Sequence, residues 1–156
     1  DYAYGFEQDA MRPVIELAIR SHSAYRLPEG ISAREKMFCD ILRDADKIDI
    51  FRVNIDTSPE EIYNVTTEEL KNSQVSQEVM QCFEEEHAVL RSLKKTAIDN
   101  YVAHMALTFE LVYSKSRQLV YEQGYLEQML EFKSDNGVTN EQLSQIREKL
   151  EAFLNK

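Results

Sequence analysis

Two aspartates in the first third of the chain have the side-chain type and spacing for joint chemistry. Asp46 and Asp49 lie in the run RDADKID at 43–49. On a helix that turns by about 100° per residue, Asp49 falls inside an apolar stripe and Asp46 falls on its edge. A carboxylate on the buried side of a helix is costly unless a metal ion, a buried arginine or a bound substrate pairs with it. Pairing of Asp49 with Arg52 on the next turn is the structural alternative.

The helix that carries these aspartates is predicted from the spacing of its apolar residues. Ser32 and Glu35 form a capping box at its start, and the pattern ends near residues 54–57. The apolar stripe that is expected to face the core comprises Met37, Phe38, Ile41, Leu42, Ala45 and Ile48. The opposite, solvated face comprises Lys36, Asp40, Arg43, Asp44 and Lys47.

A second helix is predicted over residues 9–22, with Met11, Ile15, Ala18 and Ile19 on its apolar face. His22 ends that face, where a histidine is either a core residue with its hydrogen bonds satisfied or a functional group. The Pro/Gly connector at residues 25–30 predicts that the two helices pack antiparallel. In that arrangement His22 and Asp46 lie within reach of one common site.

Two motifs in this region carry a resemblance to a known family. The sequence reads H-x-x-Y-x-L-P-E at 22–29 and R-D-A-D-K-I-D-I-F at 43–51. With this spacing, the segment from His22 to Arg52 resembles the C-terminal half of an HD-superfamily metal-dependent phosphohydrolase. Residues 109–130 are more loosely similar to the long C-terminal helices of that family. The resemblance implies an HD-domain-like helical fold and hydrolysis of a phosphate ester, with nucleotides among the candidate substrates.

The resemblance also implies a metal site. Asp46 would complete a His-His-Asp-Asp set around a divalent cation, and His22 would line the site and touch metal or phosphate. Imidazole and carboxylate ligands suit Mn, Fe, Co, Ni or Zn, and carboxylate with water suits Mg. Such a cation polarises phosphoryl oxygens and lowers the pKa of a bound water.

Neighbouring residues are candidates for substrate contact or for support of the ligands. Lys47 could reach a phosphate from the rim or simply be solvated, and Arg43 could serve a substrate or have no role. Asp49, held by Arg52, would be a supporting or structural carboxylate. Glu110 has a family-like acidic context that implies a supporting role. Its alternative is a solvent-exposed strip, which it would share with Asp99 and Arg117.

The chain also departs from the family pattern. It contains no His-Asp dipeptide, and its first histidine is His22, whereas the family takes most of its metal ligands from upstream. We therefore expect a C-terminal part of a longer protein that, by itself, binds a divalent cation weakly or not at all. Apolar surface left on both helices would favour self-association or pairing with the missing N-terminal segment. The alternatives are a degenerate family member without a metal site and a non-catalytic helical interaction module.

Composition limits the partners and the compartment. The formal net charge of −10 argues against a nucleic-acid polymer or an anionic membrane as partner, although not against a small phosphorylated substrate bound through a metal. Cys39 and Cys82 have no metal-binding or redox spacing, which is typical of reduced thiols in the cytoplasm. No apolar run approaches the roughly 18 residues of a membrane span, and no signal peptide is visible.

The remaining sequence favours helix throughout. Gly and Pro are scarce, with four and three residues respectively, and no segment has a defensible strand pattern. A long buried helix is predicted over residues 94–122, with His104 in a polar seam beside Asn100 and Thr108. The aromatic-rich stretch of residues 1–8 is expected to form a loop or a helix end. The prediction is one all-α domain over residues 1–156 with about six helices.

Overall fold

The computed structural model describes residues 8–156, with side chains from Ala10 onwards, and these residues are almost entirely helical. The predicted all-α class is confirmed, since helix accounts for 72% of the structure and the described part of the chain contains no strand. Within residues 8–156, no helix combines the length and the apolar character needed to cross a membrane. Apart from Gln8, the expected loop or helix end at residues 1–8 lies outside the described residues.

The described residues form nine α-helices and two short 3₁₀ helices. The α-helices are α1 (Gln8–Ser21), α2 (Ala33–Asp56), α3 (Pro59–Tyr63), α4 (Thr67–Asn72), α5 (Gln77–Glu84), α6 (Ala97–Met105), α7 (Ser114–Gln123), α8 (Tyr125–Leu130) and α9 (Gly137–Leu154). The 3₁₀ helices span Arg91–Leu93 and Ala106–Glu110.

The chain divides into two compact units, and the boundary falls inside α2 between Asp46 and Lys47. In the N-terminal unit, Arg34 near the start of α2 contacts the sulfur of Met11 on α1. Arg43, two and a half turns further along α2, donates to the carbonyl of Ser21 at the end of α1. The two helices therefore run parallel, and the predicted antiparallel packing is wrong. The connector of residues 22–32 makes this feasible, because an extended chain of that length spans roughly 35 Å and can return along α1.

The C-terminal unit holds the larger hydrophobic core. Its most deeply buried side chains are Phe51, Leu70, Val75, Val79, Phe83, Ile98, Val102, Met105, Ala106, Met129, Ile146 and Leu150. Phe109 lies between two other rings, edge-on to Phe83 at 5.8 Å and to Phe153 at 5.3 Å between ring centroids. Edge-to-face pairs of this kind are favourable, so the aromatic row links α5, the second 3₁₀ helix and α9.

The single long helix predicted over residues 94–122 is broken into three parts. Helix α6 ends at Met105, a 3₁₀ helix follows, and the chain is extended at Leu111 before α7 begins at Ser114. The break coincides with the run TFELVY at 108–113, in which threonine, valine and two aromatic residues have weak helix propensity. Packing of Phe109 against its aromatic neighbours then favours the 3₁₀ conformation over a continuous α-helix.

Asp99 joins the starts of two helices. Its carboxylate accepts hydrogen bonds from the backbone N–H groups of Lys95 (2.8 Å) and Thr96 (3.0 Å) at the start of α6. It also accepts from the N–H (2.9 Å) and the hydroxyl (2.5 Å) of Ser76, which precedes α5. Because Asp99 is completely buried, the solvent-exposed strip that the sequence placed around Asp99 and Glu110 is wrong at this position.

Candidate functional site

Helix α2 buries its polar side. The side chains of Asp40, Arg43, Asp44 and Lys47 are buried, together with Cys39, Ile48, Phe51 and Asn54. Met37 and Ile41, which were predicted to face the core, are 43% and 50% exposed. The predicted orientation of this part of α2 is therefore wrong. A buried polar face is stable only where its charges find partners, and each unit supplies some of them.

In the N-terminal unit, Arg43 ties α2 to the turn that carries His22. Its guanidinium donates to the carbonyl of Ser21 at 3.1 Å and also to the carbonyl of Ala24. These carbonyls flank His22 in the chain, and the end of a helix leaves such groups without helical partners. Arg43 thus stabilises the end of α1 instead of lying on a solvated face. Residues three apart on a helix are neighbours, so Asp46 lies one turn beyond this contact.

The hydrogen bond of His22 indicates which of its ring nitrogens carries the hydrogen. Nδ1 lies 2.7 Å from the carbonyl oxygen of Ile19, and a carbonyl only accepts, so Nδ1 carries the hydrogen. In the neutral ring, Nε2 is then left with its lone pair. A histidine that donates one ring N–H to a backbone carbonyl is oriented as metal-binding histidines commonly are. The same bond also serves simply to close the end of α1.

The two aspartates that suggested chemistry differ in their surroundings. Asp46 is partly buried. The Asp49 side chain is 58% exposed and pairs with Arg52 at 2.8 Å, and Arg52 also pairs with Asp56 at 2.8 Å. Arg52 thus forms ion pairs with Asp49 and Asp56 at the surface, and its pairing with Asp49 is the structural alternative that the sequence offered. Asp49 does not lie inside a buried stripe, because α2 faces the core with its other side.

In the C-terminal unit, Lys47 is paired with Glu110. Lys47 Nζ lies 3.4 Å from a carboxylate oxygen of Glu110, and the two side chains are 5% and 23% exposed. Lys47 is therefore buried and not solvated, and Glu110 meets a cation from α2 instead of lying in a solvent strip. Taking both charges out of water is costly unless they remain together. The pair holds the C-terminal part of α2, which begins at Lys47, against the 3₁₀ helix at Ala106–Glu110.

Two turns further along α2, Asn54 takes part in a buried polar network with Tyr63 and His104. The Asn54 amide donates to the carbonyl of Ile50 at 2.8 Å and to His104 Nδ1 at 2.9 Å, while Tyr63 donates its hydroxyl hydrogen to the Asn54 oxygen. Tyr63 Oη also lies 2.9 Å from His104 Nδ1. Burial, and more weakly the charge of Lys94, lower the pKa of His104 to about 4. Burial raises the pKa of Tyr63 well above its usual value. The sequence suggested only a polar seam at His104, because its partners lie 41 and 50 residues away.

Comparison with known proteins gives no further guide. No protein-family model, no curated protein and no solved structure matches the chain significantly. The case for a metal site therefore depends on the motifs and on the geometry. Among the residues that the structure describes, no three histidine, cysteine or acidic side chains come together in a group that could hold a metal ion.

The structure divides the candidate residues into three sets. Arg43 lies against the turn of His22, one helical turn from Asp46. Lys47 pairs with Glu110, and Asp49 pairs with Arg52. In the first set, His22 has an imidazole lone pair and Asp46 a carboxylate, and each is a ligand type for a divalent transition metal. The other two sets are ion pairs that stabilise α2.

Proposed function

We propose that the chain is part of a divalent-metal-dependent phosphohydrolase that acts on a small phosphate ester, with nucleotides among its candidate substrates. The observation that carries the proposal is the Arg43 contact, because it brings the turn of His22 alongside α2 one turn before Asp46. The motifs at 22–29 and 43–51 resemble those of HD-superfamily phosphohydrolases. The hydrogen bond from His22 Nδ1 to Ile19 leaves Nε2 able to bind a cation.

Asp46 and His22 would be the metal ligands that this chain contributes. A high-affinity catalytic site normally needs three or more protein ligands, so the upstream His and His-Asp pair that the resemblance implies would supply the others. The cation, whether Mn, Fe, Co, Ni, Zn or Mg, would polarise the phosphoryl group and activate a water molecule. Arg43 would position the His22 turn, and the pair of Lys47 and Glu110 would hold α2 in place. A cytoplasmic location suits the two buried free thiols, Cys39 and Cys82.

Activity of the longer protein tests this proposal. The protein with its upstream segment should hydrolyse p-nitrophenyl phosphate or a member of a nucleotide panel, lose activity after chelation, and regain it with a divalent cation. Asp46→Ala should abolish turnover while the helical circular dichroism is retained. An Asp46→Ala protein with normal turnover would refute the assignment of Asp46.

The second candidate is a non-catalytic helical module that binds a protein partner. Four large apolar side chains on the helices of the N-terminal unit favour it, since Ile15, Ile19, Met37 and Ile41 are each more than 40% exposed. Self-association or an N-terminal segment would cover them equally well. The upstream coding sequence separates the two candidates: a histidine followed further on by His-Asp supports the enzyme, and their absence supports the module.

A further inference from the structure

A cleft of about 490 Å³ opens in the C-terminal unit. It is lined by Ile62, Tyr63, Arg91, Lys94, Asn100 and His104. These residues come from α3, from α6 and from the 3₁₀ helix at Arg91–Leu93 and the residue that follows it. Most of the lining is therefore polar or cationic, in a protein whose net charge is −10.

His104 offers a hydrogen-bond donor to the cleft, because its partners orient the ring and determine which nitrogen carries the hydrogen. Both amide hydrogens of Asn54 are used, one on the carbonyl of Ile50 and one on His104 Nδ1. The hydroxyl of Tyr63 donates to the Asn54 oxygen. When Asn54 donates to His104 Nδ1, that nitrogen accepts and the hydrogen of the neutral ring is on Nε2. No residue in the described part of the chain accepts from Nε2, and His104 lines the cleft.

The cations of the cleft also lack a carboxylate partner at close range. Within residues 10–156, no ion pair of 4.0 Å or less involves Arg91 or Lys94. Lys94 is half-buried, and burial, followed by the charge of Arg91, lowers its pKa. Asp99 is the acidic group that acts on it, but its oxygens accept four hydrogen bonds from Ser76, Lys95 and Thr96. A partly desolvated ammonium beside a guanidinium gains stability from a bound anion.

We propose that this cleft binds a phosphate group, either inorganic phosphate or the phosphate of a monoester, between Arg91 and Lys94, with hydrogen bonds from His104 Nε2–H and the Asn100 amide. Two cations compensate the charge of the anion, and two neutral donors fix its orientation. The cleft is larger than one phosphate group, so a monoester has room for part of its organic moiety. This site does not depend on the metal site of α2, and either can exist without the other.

Calorimetric titration of the chain at constant ionic strength tests the proposal, with inorganic phosphate in one arm and a nucleoside monophosphate in the other. We expect a dissociation constant of about 1 mM or tighter for at least one of them. Tighter binding of the nucleotide identifies a phosphorylated metabolite as the ligand, tighter binding of phosphate identifies the free anion, and equal binding shows that the phosphate group alone is recognised. Absence of binding by both at about 10 mM overturns the proposal.

Variants locate the binding. Arg91→Gln alters an exposed residue, and Lys94→Met retains the length and apolar stem of the lysine, so both should fold. Each should weaken binding about tenfold or more. His104→Asn, which keeps an acceptor near the Nδ1 position and removes the Nε2 donor, should weaken it about fivefold. Lys115→Gln removes an exposed lysine elsewhere and should leave the affinity unchanged. Equal affinity in the wild type and in both the Arg91 and Lys94 variants would contradict the site.

Discussion

The buried state of His104 predicts how the stability of the C-terminal unit depends on pH. Its pKa is about 4 in the folded protein, against an ordinary value of 6.5. Between these values the unfolded chain binds a proton that the folded protein refuses, so stability falls as the pH decreases. The stability that depends on the neutral state of His104 is fully present above pH 6.5 and is lost by about pH 4. One pKa unit corresponds to about 1.4 kcal/mol, so the whole effect is about 3 kcal/mol, of which about 2 kcal/mol falls between pH 7 and pH 5.

Urea unfolding at pH 7 and at pH 5, for the wild type and for His104→Asn, measures this contribution. The asparagine keeps an acceptor for the Asn54 amide but does not titrate in this range. His87 has a raised pKa, chiefly through the carbonyl of Ala88, and changes stability in the opposite direction. That effect is the same in both proteins and cancels in the comparison. We expect the wild type to lose about 2 kcal/mol more than the variant between the two pH values. Equal losses in the two proteins would refute the buried, neutral state of His104.

Three further predictions concern the fold and the metal. Asp99→Ala leaves four donors without their acceptor and should lower the free energy of unfolding by about 3 kcal/mol or more, and a loss below about 1 kcal/mol would contradict its joining role. On α2, Phe51→Ala should cost about 3–5 kcal/mol, whereas Ile41→Ala should cost less than about 1 kcal/mol in the same denaturation assay. A larger cost for Ile41→Ala than for Phe51→Ala would support the orientation of α2 that the sequence predicted. Titration of this chain with Mn²⁺ should detect weak binding or none, and a stoichiometric micromolar site would mean that the ligands have been mislocated.

Local signals in the sequence were sufficient to place the start of α2 and the end of α7. The Ser32–Glu35 capping box predicts the start of α2 and is present, with bonds of 2.7 Å and 3.2 Å. Helix α7 ends within one residue of the predicted end at 122, and Gly124 follows it in the left-handed conformation, with φ of 71°, which glycine adopts readily. These features depend on residues within one turn of each other. They can be identified without knowledge of the tertiary structure.

Long-range partners explain what the sequence could not predict. Met37 and Ile41 favoured one face of α2 as the buried one, but Arg43 is accommodated by carbonyls of α1 and Lys47 by Glu110. Nothing in the local pattern reveals that such partners exist, so the polar face was assigned to solvent. The cleft beside His104 was missed for the same reason, since its residues come from three separate segments. A half-polar helix is therefore ambiguous until its neighbours are known.

Metal content of the proposed longer protein, purified as two matched variants, tests the central claim most directly. Asp46→Ala and Asp49→Ala each remove one carboxylate from α2, three residues apart. Asp49 is exposed and paired with Arg52, whereas Asp46 is partly buried one turn from Arg43, which contacts the turn that carries His22. We predict that Asp49→Ala retains the metal stoichiometry of the wild type and that Asp46→Ala loses it, as measured by elemental analysis. Full metal content in the Asp46→Ala protein would contradict the proposed site.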